Sequence, residues 1–140
     1  MSDFIVGSAE HLFSAVVIPQ YQEFLKNNAD IKAAVCTIIL SYHLYEWVNG
    51  QSFNKDDFLK QYPENNVLAE YFDYSRKITN GVKHGNPKIK TKTQIGFSSA
   101  FSSAFARPLN VVTDEDETVS VDELLKVIIE YWKQQMRLIA

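Results

Sequence analysis

The chain has 140 residues, room for one domain of ordinary size and too few for two comfortable ones. Hydrophobic residues make up 46% and aromatics 13%, which supplies a core and excludes global disorder. The net charge is −3, and no apolar run reaches the roughly 18 residues that a membrane-spanning helix needs.

The N-terminus lacks a basic segment followed by an apolar stretch and a small-residue cleavage site, so no secretion signal is expected. Residues 8–28 read as a helix, with Leu12, Phe13, Val16, Val17, Phe24 and Leu25 at helical spacing. Pro19 is expected to kink or split it, because proline removes a helix hydrogen bond and crowds the preceding turn. His11 reads as a surface residue near its start.

Residues 30–48 carry the strongest helical pattern. Ile31, Val35, Ile38, Tyr42 and Tyr45 form one apolar stripe, and Cys36, Leu40, His43 and Trp47 form another. A helix apolar on two sides belongs at the centre of a bundle. Asp30 is suited to cap its start and Gly50 to follow its end. Cys36 is the only cysteine, which excludes an intramolecular disulfide and a Cys-based zinc site and fits a reducing cytoplasm. Asn54 then caps a short helix over Lys55–Gln61 that stops before Pro63.

The helix beginning at residue 66 carries the stretch of most chemical interest, "RKITNGVKHG". Val67, Tyr71, Tyr74, Ile78 and Val82 are its expected buried stripe, and Asp73, Arg76, Lys77, Asn80, Lys83 and His84 share a polar wedge. Two readings are open at Asn80-Gly81. Both residues accept a positive φ, so the helix can end there and run into a loop. Alternatively it continues to His84, with Gly81 allowing close approach of another helix. In the second case spacings of three and four bring Asn80, Lys83 and His84 to one spot. A histidine there can exchange a proton, a lysine can stabilise charge on a phosphate, and an asparagine can orient either partner.

Beyond Pro87 the period changes to two. Ile89, Thr91, Thr93, Ile95 and Phe97 alternate with Lys88, Lys90, Lys92, Gln94 and Gly96, the pattern of a half-buried strand. Residues 74–113 hold seven basic residues and no acid, so one cationic segment lies within an otherwise acidic protein. Phe97, Phe101 and Phe105 then recur every four residues, which fits a strand or ordered loop bounded by Gly96 and Pro108. "PLNVVTDEDETVSV" reads as a strand, an acidic turn and a short return. Ser120 and Glu123 form a capping box for a last helix whose core face is Leu124, Leu125, Ile128, Trp132, Met136 and Ile139.

These elements predict a mainly α single domain over residues 1–140. A four- or five-helix bundle spans residues 8–85, a small antiparallel β-hairpin or sheet about 88–119, and a C-terminal helix about 121–138. The expected catalytic residues are His84, Lys83 and Asn80, with His43 and Glu46 supporting them from the neighbouring helix. Arg76, Lys77, Lys88, Lys90 and Lys92 are the phosphate-binding candidates, although Asp73 and Arg76 are also spaced to pair with each other. No metal or cofactor is expected, and no phosphate loop, dinucleotide fingerprint, nucleophile elbow or zinc-protease motif occurs.

The helical frame with a late "TNGVKH" resembles the HEPN superfamily, small α-helical bundles whose motif is an Arg, usually followed by a polar residue, with a His four to six residues beyond the Arg. Asn80 matches the polar residue and His84 the His, while Thr79 stands at the Arg position. The order of an "H-x-x-E-W" helix, an "N-G-x-K-H" helix and a Gly/Phe-rich hairpin is also similar to a group of bacterial proteins without an assigned activity. The resemblance implies an RNA- or nucleotide-phosphate-binding protein. At its furthest it implies a metal-independent ribonuclease of a toxin–antitoxin, defence or stress system, cytoplasmic and able to form a homodimer. The alternative is a non-catalytic protein-interaction or dimerisation module, in which the cationic strand and the Phe row meet a partner.

Overall fold

The computed structural model describes residues 7–84, 90–93, 109–112 and 117–139; for residues 84, 90–93, 138 and 139 it describes the backbone alone. Lys88, the row Phe97, Phe101 and Phe105, and the acidic turn at 113–116 lie outside the described residues. The chain forms a mainly helical bundle with a small antiparallel sheet before the C-terminal helix. In order, the elements are α1 (Ala9–Leu12), a π-helical turn (Phe13–Val17), α2 (Ile18–Lys26), α3 (Ile31–Asn49), α4 (Lys55–Gln61) and α5 (Asn66–His84). The strands β1 (Lys90–Thr93), β2 (Leu109–Val112) and β3 (Thr118–Ser120) follow, and then α6 (Val121–Ile139).

The first helical stretch is split where Pro19 predicts it. Pro19 sits in the first turn of α2, where its missing N–H is tolerated, and the turn before it widens to π geometry. A π turn advances the buried face by about one residue relative to a continuous α-helix. Val17 and Phe24 are accordingly buried, and Leu25, expected in the stripe, faces solvent.

Asp30 caps α3 by accepting the N–H of Lys32 at 3.1 Å, and Gly50 closes it in the left-handed region at φ 71°. That φ favours glycine, and the Gly50 N–H bonds the Glu46 carbonyl at 2.7 Å. α3 packs against α1, α2, the π turn, α5 and α6, as its two-sided apolar pattern requires. Small buried residues on α3 (Ala34, Thr37, Ser41) and α5 (Ala69, Ser75) suit closely approaching helices. The Thr37, Ser41 and Ser75 hydroxyls are satisfied within their own helices, donating to the carbonyls of Ala33, Ile38 and Tyr71. Asn54 caps α4 by accepting from the Asp57 N–H at 3.0 Å. Ser120 does the same for α6 with Glu123 at 3.3 Å, and Asn28 ties the α2–α3 turn to Asp122 at the start of α6.

The strands form one antiparallel sheet in the order β1-β2-β3. Thr91 and Thr93 lie opposite Val111 and Leu109, the buried positions of β2, and Lys90 and Lys92 lie opposite Val112 and Asn110. The threonine and lysine alternation of the sequence therefore agrees with the alternation of burial along β2.

The core is aromatic at one end of the bundle. Phe72 of α5 lies within 5.3–6.3 Å, ring to ring, of Tyr45, Phe53, Phe58, Tyr131 and Trp132. Trp132 meets Tyr45, Phe72 and Tyr131 edge-on, and its Nε1 is buried without a hydrogen-bond partner among the described residues. The Tyr131 phenol is pushed up to about 12 from its ordinary 10.0, first by burial and then by Tyr62 and Tyr45. The unfolded chain thus gives up this proton near pH 10.0 while the folded chain holds it to about 12. Stability is full below the lower value and falls as pH rises towards the upper one. The Tyr131→Phe variant should show a shallower alkaline loss, read as the change in urea midpoint between about pH 9 and about pH 11. Equal losses in variant and parent would remove Tyr131 from the effect. Tyr21, Tyr42, Tyr45 and Tyr71 are shifted upwards too, again mainly by burial, so the variant should flatten the fall only in part.

Candidate functional site

α5 winds unbroken past Asn80 and Gly81 to His84, so the helix does not end at the Asn-Gly pair. Gly81 is buried, in keeping with the close-approach reading, and Gly50 is the one glycine with positive φ among the described residues. The helical backbone places positions 80, 83 and 84 on one side, at spacings of three and four. Asn80 and Lys83 are exposed; His84 contributes its backbone position.

The buried face of α5 is not the expected one. Leu68, Ala69, Phe72, Ser75, Ile78 and Thr79 are buried, whereas Val67 and Val82 are more than half exposed. At about 100° per residue, the buried face is turned by roughly 80° from the stripe through Val67, Tyr71, Tyr74, Ile78 and Val82. The cause is the aromatic cluster: Phe72 has five ring partners, and α5 turns to seat it, leaving Tyr71 and Tyr74 at the margin. The polar wedge therefore begins at the edge of the core rather than opposite it. Asp73, Arg76 and Lys77 are consequently half-buried.

Within that wedge Asp73, Arg76 and Lys77 are paired. Arg76 donates from Nη2 at 2.9 Å and from Nε at 3.2 Å to Asp73 Oδ1, and Lys77 Nζ lies 3.5 Å from Asp73 Oδ2. The i, i+3 pairing expected for Asp73 and Arg76 is present. Two of the five phosphate-binding candidates thus share one carboxylate. Of the other three, Lys90 and Lys92 are described as backbone positions on β1.

Arg76 and Asn80 also line a cleft of about 400 Å³ with Ser52, Phe53, Asn54, Lys55 and Asp56. The segment between α3 and α4 is what sequence reasoning missed. Asn54 could be read there as a cap, but no periodicity shows that this segment folds over the middle of α5. It is held in place from α3: the Tyr42 hydroxyl accepts the Phe53 N–H at 3.0 Å, and Ser52 Oγ donates to Glu46 Oε2 at 3.1 Å. Glu46 Oε1 lies 3.5 Å from His43 Nδ1, so His43 and Glu46 are paired, as their spacing suggests, and are partly exposed. Burial, followed by the Glu46 carboxylate, raises the Tyr42 pKa against the opposing effect of the Phe53 N–H. His43 and Glu46 therefore reach the cleft through Ser52.

A cleft with one guanidinium, one ammonium, one carboxylate, two side-chain amides and a hydroxyl can hold a polar ligand by hydrogen bonding with modest net charge. Among the described residues, no group of three or more His, Cys, Asp or Glu side chains is placed to hold a metal ion, and no helix is long and apolar enough to cross a membrane. No protein-family model, curated protein or solved structure matches the chain.

Proposed function

We propose that the C-terminal half of α5, together with the cleft formed by Arg76, Asn80 and the α3–α4 segment, binds the sugar–phosphate backbone of RNA in a HEPN-like manner. The observation that carries this reading is the continuity of α5 through Gly81, which puts positions 80, 83 and 84 on one side of a rigid element. Thr79, at the position of the superfamily's Arg, is buried, so the cation facing a phosphate has to come from elsewhere. Lys83 is exposed on the same side as Asn80 and fills that role. In its catalytic form the reading makes His84 the general acid–base: it takes the proton of a ribose 2′-hydroxyl as that oxygen attacks the adjacent phosphate and returns a proton to the 5′-oxygen that leaves as the P–O5′ bond breaks, with Lys83 stabilising the developing charge and Asn80 as the orienting residue. His43 and Glu46 hold the cleft wall through Ser52. Such an activity suits a metal-independent ribonuclease of bacterial defence or stress.

Purified protein, Lys83→Ala and His84→Ala should be compared for binding and cleavage of mixed RNA over a range of salt. Binding should weaken steeply with salt, and Lys83→Ala should reduce the log–log slope by about 0.7 if Lys83 meets one phosphate of a single strand. Cleavage should be lost in His84→Ala with binding retained. Equal cleavage by both proteins would remove His84 from the mechanism, and binding indifferent to salt would sink the phosphate reading.

A further inference from the structure

The cleft between α5 and the α3–α4 segment holds a group that an RNA backbone does not need. Asp56 lines it together with Arg76 and Asn80. A carboxylate repels a phosphate, so Asp56 has no use in a site for backbone alone. Asp56 and Asp57 share the first turn of α4, where either suits the helix dipole, and of the two Asp56 borders the cleft. It is exposed and makes no hydrogen bond or ion pair among the described residues. An ionised carboxylate only accepts hydrogen bonds, so it calls for N–H donors on the ligand. Arg76 supplies the opposite chemistry. Two of the five N–H groups of its guanidinium go to Asp73 Oδ1, from Nε and Nη2, and Nη1 is left to meet an acceptor. Asn54 Oδ1 takes the Asp57 N–H, so Asn54 offers the cleft its amine.

Among the RNA bases, guanine matches this set. It presents N2–H, N1–H, O6 and N7 in a row, two neighbouring donors and then two acceptors. The donors are parallel, as in a guanidinium, and pair with a carboxylate by two bonds. O6 and N7 are the atoms that an arginine reads. Adenine and cytosine place a ring acceptor beside their amine, and uracil flanks its single N–H with carbonyls. Each of these sets a lone pair against Asp56. Arg76 and Lys83 are seven residues apart on α5, about 10 Å along its axis. A base beside Arg76 thus leaves its strand free to run towards Lys83. We propose that this cleft takes a guanine base of the bound RNA strand, with Asp56 accepting from N1–H and N2–H and Arg76 donating to O6 and N7. This assignment rests on RNA binding at the C-terminal half of α5, where the phosphate stays with Lys83.

The test is fluorescence anisotropy of the full chain with short polyuridine strands that carry guanosine, adenosine, cytidine or inosine at one central position. The guanosine strand should bind about tenfold or more tighter than the adenosine, cytidine and all-uridine strands. Inosine keeps N1–H, O6 and N7 but lacks the N2 amine, so it should bind about threefold or more weaker than guanosine. This comparison uses the parent protein and needs no variant. Asp56→Asn should bring the guanosine-to-adenosine ratio to within about threefold of unity, because its amine then meets one of the guanine donors. The ratio is the readout, since a general weakening of the variant leaves it unchanged. Guanosine and adenosine monophosphates serve as free-nucleotide competitors. No strand bound at any salt would overturn the RNA reading itself. Strands bound with a steep salt dependence but equal affinity would leave that reading in place and overturn the guanine assignment. So would a preference for another base, inosine bound as tightly as guanosine, or a guanosine preference that survives in Asp56→Asn. Guanosine monophosphate bound over adenosine monophosphate while no strand binds would overturn the proposal in favour of a free guanine nucleotide.

Discussion

Replacing Phe72 with alanine is expected to cost about 3–5 kcal/mol of folding stability, a large share of the 5–15 kcal/mol typical of a domain of this size. Phe72 is fully buried and makes ring contacts with residues of α3, α4, α6 and the α3–α4 segment, so one truncation opens a cavity where four parts of the chain meet. Its neighbours are themselves large rings held by other contacts, and they cannot collapse into the space without leaving rotamer minima. Urea unfolding should show the loss as a lower midpoint at unchanged slope, with Phe72→Leu recovering much of it. A loss below about 1 kcal/mol for the alanine variant would mean that the aromatic cluster does not depend on this ring.

The second large effect is expected from a single oxygen. Tyr42 is 1% exposed, and its hydroxyl accepts the Phe53 N–H at 3.0 Å. Tyr42→Phe keeps the ring and leaves that buried N–H without its partner, a loss of about 1–3 kcal/mol. Since Phe53 anchors the segment that forms one wall of the Arg76–Asn80 cleft, the variant should also speed hydrogen exchange at residues 51–54. If the protein binds RNA through this cleft, affinity should fall with it. Unchanged stability together with unchanged exchange would show that the segment is held by its aromatic contacts and not by this bond.

The local grammar of the fold was open to reading in the sequence. Caps at Asp30, Asn54 and Ser120 and the stop at Gly50 depend on side chains within three residues of the backbone groups they serve. The core face of α6 from Leu124 to Met136 was equally legible, because a helix lying on one side of a bundle shows its periodicity undistorted, while the side chain of Ile139 lies outside the described ones. At Asn80-Gly81 local preference pointed both ways, and the choice fell to tertiary packing: Gly81 is buried and helical rather than turning the chain. The rotated face of α5 and the exposure of Trp47 and Ile31 on α3 escaped the sequence for a related reason. Apolar residues stood on more than one side of each helix, and periodicity alone does not say which side the neighbours will cover.

By itself the sequence determined where the helices start, which residues share a turn, that a β element precedes the last helix, and that positions 80, 83 and 84 come together if the helix persists. These are short-range matters of hydrogen bonding and side-chain spacing. Only the tertiary structure decided that the α3–α4 segment meets Arg76 and Asn80, that Asp73 takes up both Arg76 and Lys77, and that Ile31, Trp47 and Val48 of α3 stay exposed. Those outcomes follow from how large rings such as Phe72 and Trp132 fit among their neighbours, and that competition for space acts between residues far apart in the chain.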